Sequence, residues 1–135
     1  MSARRGPKVV TQKGDAEAAP VPNLTAFCPR YHQAVELIGK RWTGAILRLL
    51  ITGPHRFNEI LAGVPGLSDR LLSERMRELE GAELVVRRVF PGPPIRSEYD
   101  LTERGRELEP VVRDISAWAD KWIELPTRLA EATEH

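Results

Sequence analysis

The stretch that decides the fold runs from Asn58 to Phe90 and reads NEILAGVPGLSDRLLSERMRELEGAELVVRRVF. Asn58 is a good N-cap for a brief helix over Glu59 to Ala62, because its side-chain oxygen can accept from backbone N–H groups that lack partners in a first turn. Gly63-Val64-Pro65-Gly66 then makes a turn that lets the chain reverse at once. Ser68 caps a longer helix to about Glu80, with Asp69 in the first turn, where negative charge suits the helix dipole. Along this helix Leu72, Met76 and Leu79 recur three to four residues apart and form an apolar face. At about 100° per residue, Arg70, Ser73, Glu74 and Arg77 fall on the opposite side. Leu84-Val85-Val86-Arg87-Arg88-Val89-Phe90 follows, rich in β-branched residues, and reads as a strand.

Behind this strand, Pro91-Gly92-Pro93-Pro94 is a turn through which no helix survives, and Arg96 to Leu101 reads as the return strand, with Tyr99 and Leu101 on one face. Upstream, Tyr31, Ala34, Val35 and Ile38 recur at helical spacing, and Gly39 closes that first helix. Trp42 to Ile51 is a second helix, ended by Gly53-Pro54. His55-Arg56-Phe57 is a short link with room for one strand. Downstream, Thr102 caps a last helix with apolar positions Leu108, Val111, Val112, Ile115, Trp118, Ala119 and Trp122. Pro110 lies inside that pattern and predicts a kink or a break. The resulting fold class is mainly α with a small β-hairpin (α+β): a winged helix-turn-helix, two helices joined by a tight turn with a hairpin directly behind them. The folded domain is expected over 27–125, between a basic, disordered N-terminal tail at 1–26 and a C-terminal tail at 126–135. The start of the leader, Ser2 to Lys8, also suits an arm that touches phosphates.

Composition narrows the function. The chain has 135 residues, of which 41% are hydrophobic, enough for one packed domain. No apolar run approaches the roughly 20 residues of a membrane span, and no signal-peptide core leads the chain, so the expectation is a cytoplasmic protein. Cys28 is the single cysteine, which excludes an internal disulfide framework. The net charge is only +1, so composition alone does not argue for nucleic acid; binding has to come from where the arginines are placed.

A projecting helix fits the major groove, where Arg70 and Arg77 could bond guanine edges and Ser73 and Glu74 lie between them, with Ser68 and Asp69 at the helix tip. A merely solvated face has the same pattern. On the hairpin, Arg87, Arg88 and Arg96 suit phosphate or the minor groove; an edge strand kept soluble by charge reads the same way. Lys40, Arg41 and Arg56 stand near helix ends and suit the phosphate backbone. The apolar stripe Val111, Ile115, Trp118 and Trp122 fits either packing against the first helix or a partner's surface. There is no P-loop, no Gly-rich dinucleotide motif and no nucleophile triad, so no enzymatic activity is expected. Cys28 and His32 are too few ligands for a metal, and no cofactor is expected. The function classes left are a DNA-binding regulator and a winged-helix module that binds protein.

The stretch from Cys28-Pro29 to Trp122 resembles the HxlR-type family of bacterial winged-helix regulators. The matching pieces are Ile38-Gly39-Lys40-Arg41-Trp42, Gly53-Pro54-His55-Arg56-Phe57-Asn58-Glu59-Ile60, Val64-Pro65-Gly66-Leu67-Ser68, Leu72, Arg77-Glu78-Leu79-Glu80, Tyr99-Asp100-Leu101-Thr102-Glu103-Arg104-Gly105 and Trp118. One departure is Gly81-Ala82-Glu83-Leu84: the family places its glycine directly before that leucine. The resemblance implies a regulator of double-stranded DNA that acts as a homodimer on a pseudo-palindromic operator. The first and last helices would form the interface, through Tyr31, Val111, Ile115, Trp118 and Trp122. It also implies that Cys28, in its Cys-Pro setting before the first helix, is a candidate redox or electrophile sensor, which requires thiolate character. The effector and the operator are not legible in the sequence.

Overall fold

The computed structural model describes residues 23–126. The expectations for 1–22 and 127–135 fall outside the described residues. Contacts divide the chain into two units, one ending at His32 and the other beginning at Gln33.

In the first unit, Asn23 Oδ1 accepts from Thr25 N at 3.0 Å and from Thr25 Oγ1 at 2.7 Å, a local turn of the kind asparagine favours. Helix α1, Pro29–Ile38, begins here and continues past the unit boundary; it starts on a proline, which suits a position whose N–H has no helical partner anyway. The Cys28 carbonyl accepts from His32 N at 3.0 Å and starts the helical ladder.

The second unit holds the core. Helix α2 spans Thr43–Ile51, α3 Phe57–Gly63 and α4 Asp69–Gly81; strands β1, Val85–Phe90, and β2, Arg96–Leu101, follow, then α5, Glu103–Arg106, and α6, Glu109–Trp122. Ile46, Leu47 and Leu50 of α2, Ile60 of α3, and Leu72, Met76 and Leu79 of α4 bury one another together with Leu84, Val85 and Leu101. The apolar face read from the spacing along α4 is thus the face that packs. The hairpin pairs antiparallel from Val85 opposite Leu101 to Phe90 opposite Arg96. The link before α3 is a single bridge: His55 and Tyr99 exchange backbone hydrogen bonds of 3.0 and 2.8 Å, which pairs one residue with the edge of β2 away from β1.

The start of α3 and the stop of α4 differ in detail from the sequence expectation, and the break expected at Pro110 is present. Helix α3 starts at Phe57, two residues earlier than an Asn58 cap implies, because Glu59 Oε1 accepts from Arg56 N at 2.8 Å and makes Arg56 the capping position. The last helix is broken: Thr102 caps the short α5 through Gly105 N at 3.0 Å, and Pro110 sits in the first turn of α6. Gly105 has no room for a side chain, since a Cβ there would run into the Leu84 carbonyl. Finally, α4 runs through Gly81, and Glu83 takes the left-handed conformation at φ 62°.

Glu83 completes a Schellman stop: Leu84 N donates to Leu79 O at 2.9 Å and Glu83 N to Glu80 O at 3.0 Å. A Cβ in this conformation costs about 1–2 kcal/mol, which glycine avoids in exchange for a more mobile unfolded chain. The Glu83–Arg104 ion pair, 3.5 Å apart with both side chains largely exposed, offsets little of that. Glu83→Gly is therefore expected to stabilise the fold by about 1 kcal/mol, a rise in Tm of a few degrees by calorimetry. A lower Tm would mean that the glutamate side chain contributes more than its exposure implies.

Candidate nucleic-acid interface

The turn Val64 to Leu67 and the Ser68 cap set where α4 leaves the body. Ser68 Oγ accepts from Leu71 N at 3.1 Å, so the hydroxyl expected at the tip serves first as a helix cap. Asp69, Arg70 and Arg77 are exposed, and Ser73 and Glu74 are half-buried beside them. Among the described residues no ion pair engages Arg70 or Arg77, whereas Glu74 lies 3.7 Å from Arg75. The outer face of α4 therefore presents two uncommitted guanidinium groups, each able to bond a guanine edge or a phosphate.

In the wing, Arg87 is exposed in the middle of β1, opposite Tyr99, and Arg96 is exposed at the start of β2, beside the turn. Arg88 is exposed too, but its guanidinium donates to Asp100 Oδ2 at 2.8 Å. Asp100 is a buried carboxylate on β2 that also takes Arg106 at 2.9 Å and the Leu101 N–H at 2.8 Å. Burial alone would push its carboxyl up; the bonds from Arg88 and Leu101 and the charge of Arg106 outweigh it and hold Asp100 below the ordinary carboxylate range. A lowered folded-state pKa adds stability above the unfolded value of about 4, and that stability is lost as pH falls through the folded pKa. Asp100→Asn is accordingly expected to cost about 1–2 kcal/mol at pH 7, with the gap to the parent narrowing at pH 3, as read from urea midpoints. A gap that is constant with pH would show that the charge of Asp100 is not what holds the wing base.

The three backbone candidates have different surroundings. Lys40 Nζ bonds Glu78 Oε2 at 2.8 Å, and that bond is the main reason Glu78 stays below its usual pKa despite its partial burial. The Arg41 guanidinium lies 5.1 Å from the Trp42 ring centroid, within cation–π range. Arg56 is exposed at the start of α3. The sequence reading missed Arg75, Glu78 and Asp100, which organise these neighbours. A signal was present for Arg75: at about 100° per residue it falls beside Leu72 and Leu79, on a flank turned toward the body.

Helix α6 buries no residue. Val111, Ile115, Trp118 and Trp122 are 43%, 57%, 59% and 63% exposed, so one helix face displays an uncovered apolar stripe. The opposite side of α6 leans toward α2 across an open groove of about 900 Å³, lined by Trp42, Leu49, Val112 and Ala117 among others. Tyr31 is 71% exposed on α1. Cys28 is exposed, and its Sγ accepts from Tyr31 N at 3.4 Å. Among the described residues no three His, Cys, Asp or Glu side chains gather as a metal site, and no helix is long and apolar enough to cross a membrane.

A helix pair joined by a tight turn, its second helix buried on one side and cationic on the other, with a two-stranded wing behind it, defines a winged helix-turn-helix transcriptional regulator. The family model for HxlR-like helix-turn-helix proteins matches residues 37–127, and the chain belongs to that family. It is 46% identical over 102 residues to the HTH-type transcriptional regulator YvaP of Bacillus subtilis, a match spanning 76% of this chain and 94% of the relative. It is 44% identical over 98 residues to the HTH-type transcriptional regulator YodB of the same organism, over 73% of this chain and 88% of the relative. The structure of reduced YodB superposes with a TM-score of 0.66 at 43% identity, covering 73% of this chain and 97% of that one. The redox regulator HypR in its oxidised form superposes with a TM-score of 0.68 at 36% identity, covering 73% and 100%. The family and these relatives are transcriptional regulators, not enzymes.

Proposed function

We propose that the chain binds a specific DNA sequence as a homodimer, each α4 reading one half of a pseudo-palindromic operator. The observation that carries this reading is the two-sidedness of α4: Leu72, Met76 and Leu79 are buried while Arg70 and Arg77 stand free on the far side. Arg87 and Arg96 in the wing and Arg41 and Arg56 at helix ends supply phosphate contacts, with Lys40 and Arg88 contributing only the N–H groups left over from Glu78 and Asp100. The exposed stripe on α6 is the surface offered to the second copy.

The test is selection of bound sequences from random DNA at moderate salt, followed by a salt titration on the winner. A two-fold consensus is expected, with affinity falling steeply as salt rises. No consensus and a flat salt response would favour the other reading, a winged-helix module that binds protein, for which the net charge of +1 speaks.

Regulation is proposed at Cys28. Its thiol is exposed, and YodB has been solved reduced, diamide-treated and quinone-bound, while HypR is described as a redox regulator. With one cysteine per chain, diamide takes two electrons and two protons from two thiols and is itself reduced to the hydrazine; the disulfide formed joins two chains, or one chain and a small thiol. A quinone instead adds the thiolate to its ring and becomes a thioether-linked hydroquinone. Either reagent is expected to change operator affinity in the parent and to leave Cys28→Ser indifferent, as measured by fluorescence anisotropy. An equal response in both proteins would remove Cys28 from the mechanism.

A further inference from the structure

Between its buried and its outer faces, α4 has a flank that carries Arg75 and Glu78. Arg75 is a cation held largely out of water, its side chain 12% exposed. Its Nε donates to the backbone carbonyl of Arg41 at 2.9 Å, and its terminal nitrogen lies 3.3 and 3.4 Å from the two oxygens of Glu78. The same carboxylate takes Lys40. Lys40 and Arg41 form the corner before α2, where Trp42 adopts a left-handed φ of 77°.

The two kinds of contact on α4 differ in what they constrain. Leu72, Met76 and Leu79 hold the helix against the body, but burial is non-directional, and flexible apolar side chains repack after a small roll of the helix at modest cost. A guanidinium bonded through Nε to a fixed carbonyl is directional, and rolling it away would strand a nearly buried charge. The roll matters at the outer face. On a helix of roughly 5–6 Å radius, a turn of about 20° displaces side-chain ends by about 2 Å, enough to move a guanidinium off the base edge it bonds.

We propose that Arg75 is the positioning residue of the recognition helix: by tying α4 to the Arg41 carbonyl and to the Glu78–Lys40 pair, it sets the roll of α4 and so selects which bases Arg70 and Arg77 reach. This rests on α4 being the helix that reads DNA. Arg75 itself touches no base; it acts on sequence preference and leaves the phosphate contacts elsewhere in place.

The experiment measures affinity for the selected operator and for an unrelated duplex, with the salt slope on each, for the full chain carrying Arg75→Met, Arg75→Lys or Glu78→Gln. Circular dichroism at the assay temperature confirms folding, and Arg70→Ala is run alongside. Arg75→Met is expected to lower the ratio of operator to unrelated affinity roughly tenfold, the scale of one mismatched base pair, with unrelated binding and salt slope unchanged. Arg75→Lys keeps a charge for Glu78 but has no fork to reach Arg41 as well, so thermal stability should recover more than the ratio does. If Arg75→Met does not fold, Arg75→Lys and Glu78→Gln decide. A parental ratio in the folded variants, or an equal fall on both duplexes, overturns the positioning role. If Arg70→Ala loses the ratio while the Arg75 variants keep it, that role alone falls; if Arg70→Ala also keeps it, the recognition-helix reading falls and takes the proposal with it.

Discussion

Trp118→Asp combined with Trp122→Asp is expected to convert the protein to a monomer and to lower its affinity for a two-half-site operator at least about a hundredfold. Each large side chain buried on association is worth about 1.5–3 kcal/mol, and a two-fold axis counts every such residue twice. Placing carboxylates there removes that gain and sets like charges against each other across the axis. The loss then passes to DNA binding through geometry. Two recognition helices related by a dyad meet successive major-groove faces when their centres lie about 34–36 Å apart, and joining two weak half-site contacts raises apparent affinity by about 10²–10⁴. A chain with a net charge of +1 has little non-specific attraction to make up the difference. Because both tryptophans are more than half exposed, the variant should stay folded, which circular dichroism checks. Sedimentation decides the rest. A parent that sediments as a monomer at micromolar concentration and binds one half-site as tightly as the full palindrome would end the dimer reading.

The second large effect is expected on the outer face of α4. Arg70→Ala and Arg77→Ala should each cost about 1–3 kcal/mol of operator affinity and relax the preference at one position of each half-site. Truncating a phosphate contact such as Arg96 should instead weaken all sequences alike and flatten the salt slope by about one unit. Repeating the random-DNA selection with each variant separates the two classes. Binding of both α4 variants at the parental level would move the reading surface elsewhere.

Most of the fold was legible because it follows from local periods and local caps. The spacing of Leu72, Met76 and Leu79 specifies the buried side of α4, Ser68 specifies its start, and the Pro91–Pro94 turn places Arg96 to Leu101 as the return strand. Pro110 announced that the last helix would break, and it opens α6. The stop of α4 was less legible: the helix ends at Gly81, close to the expected Glu80, yet the left-handed position falls to Glu83 rather than to a glycine.

The site divides along the same line. By itself the sequence determined which arginines lie on the outer face of α4 and which lie in the wing, since both follow from the period of one element. Whether a cation is free or already paired was decided by the tertiary structure. Lys40 meets Glu78 from 38 residues away, Arg75 meets the Arg41 carbonyl from 34, and Arg88 meets Asp100 from 12. The exposure of the α6 stripe is also a tertiary outcome, because the pattern Val111, Ile115, Trp118 and Trp122 would read the same on a helix packed inward. The physical reason is that an amphipathic period fixes the direction of a side chain relative to its own helix, whereas ion pairing and burial depend on what the fold brings to face it.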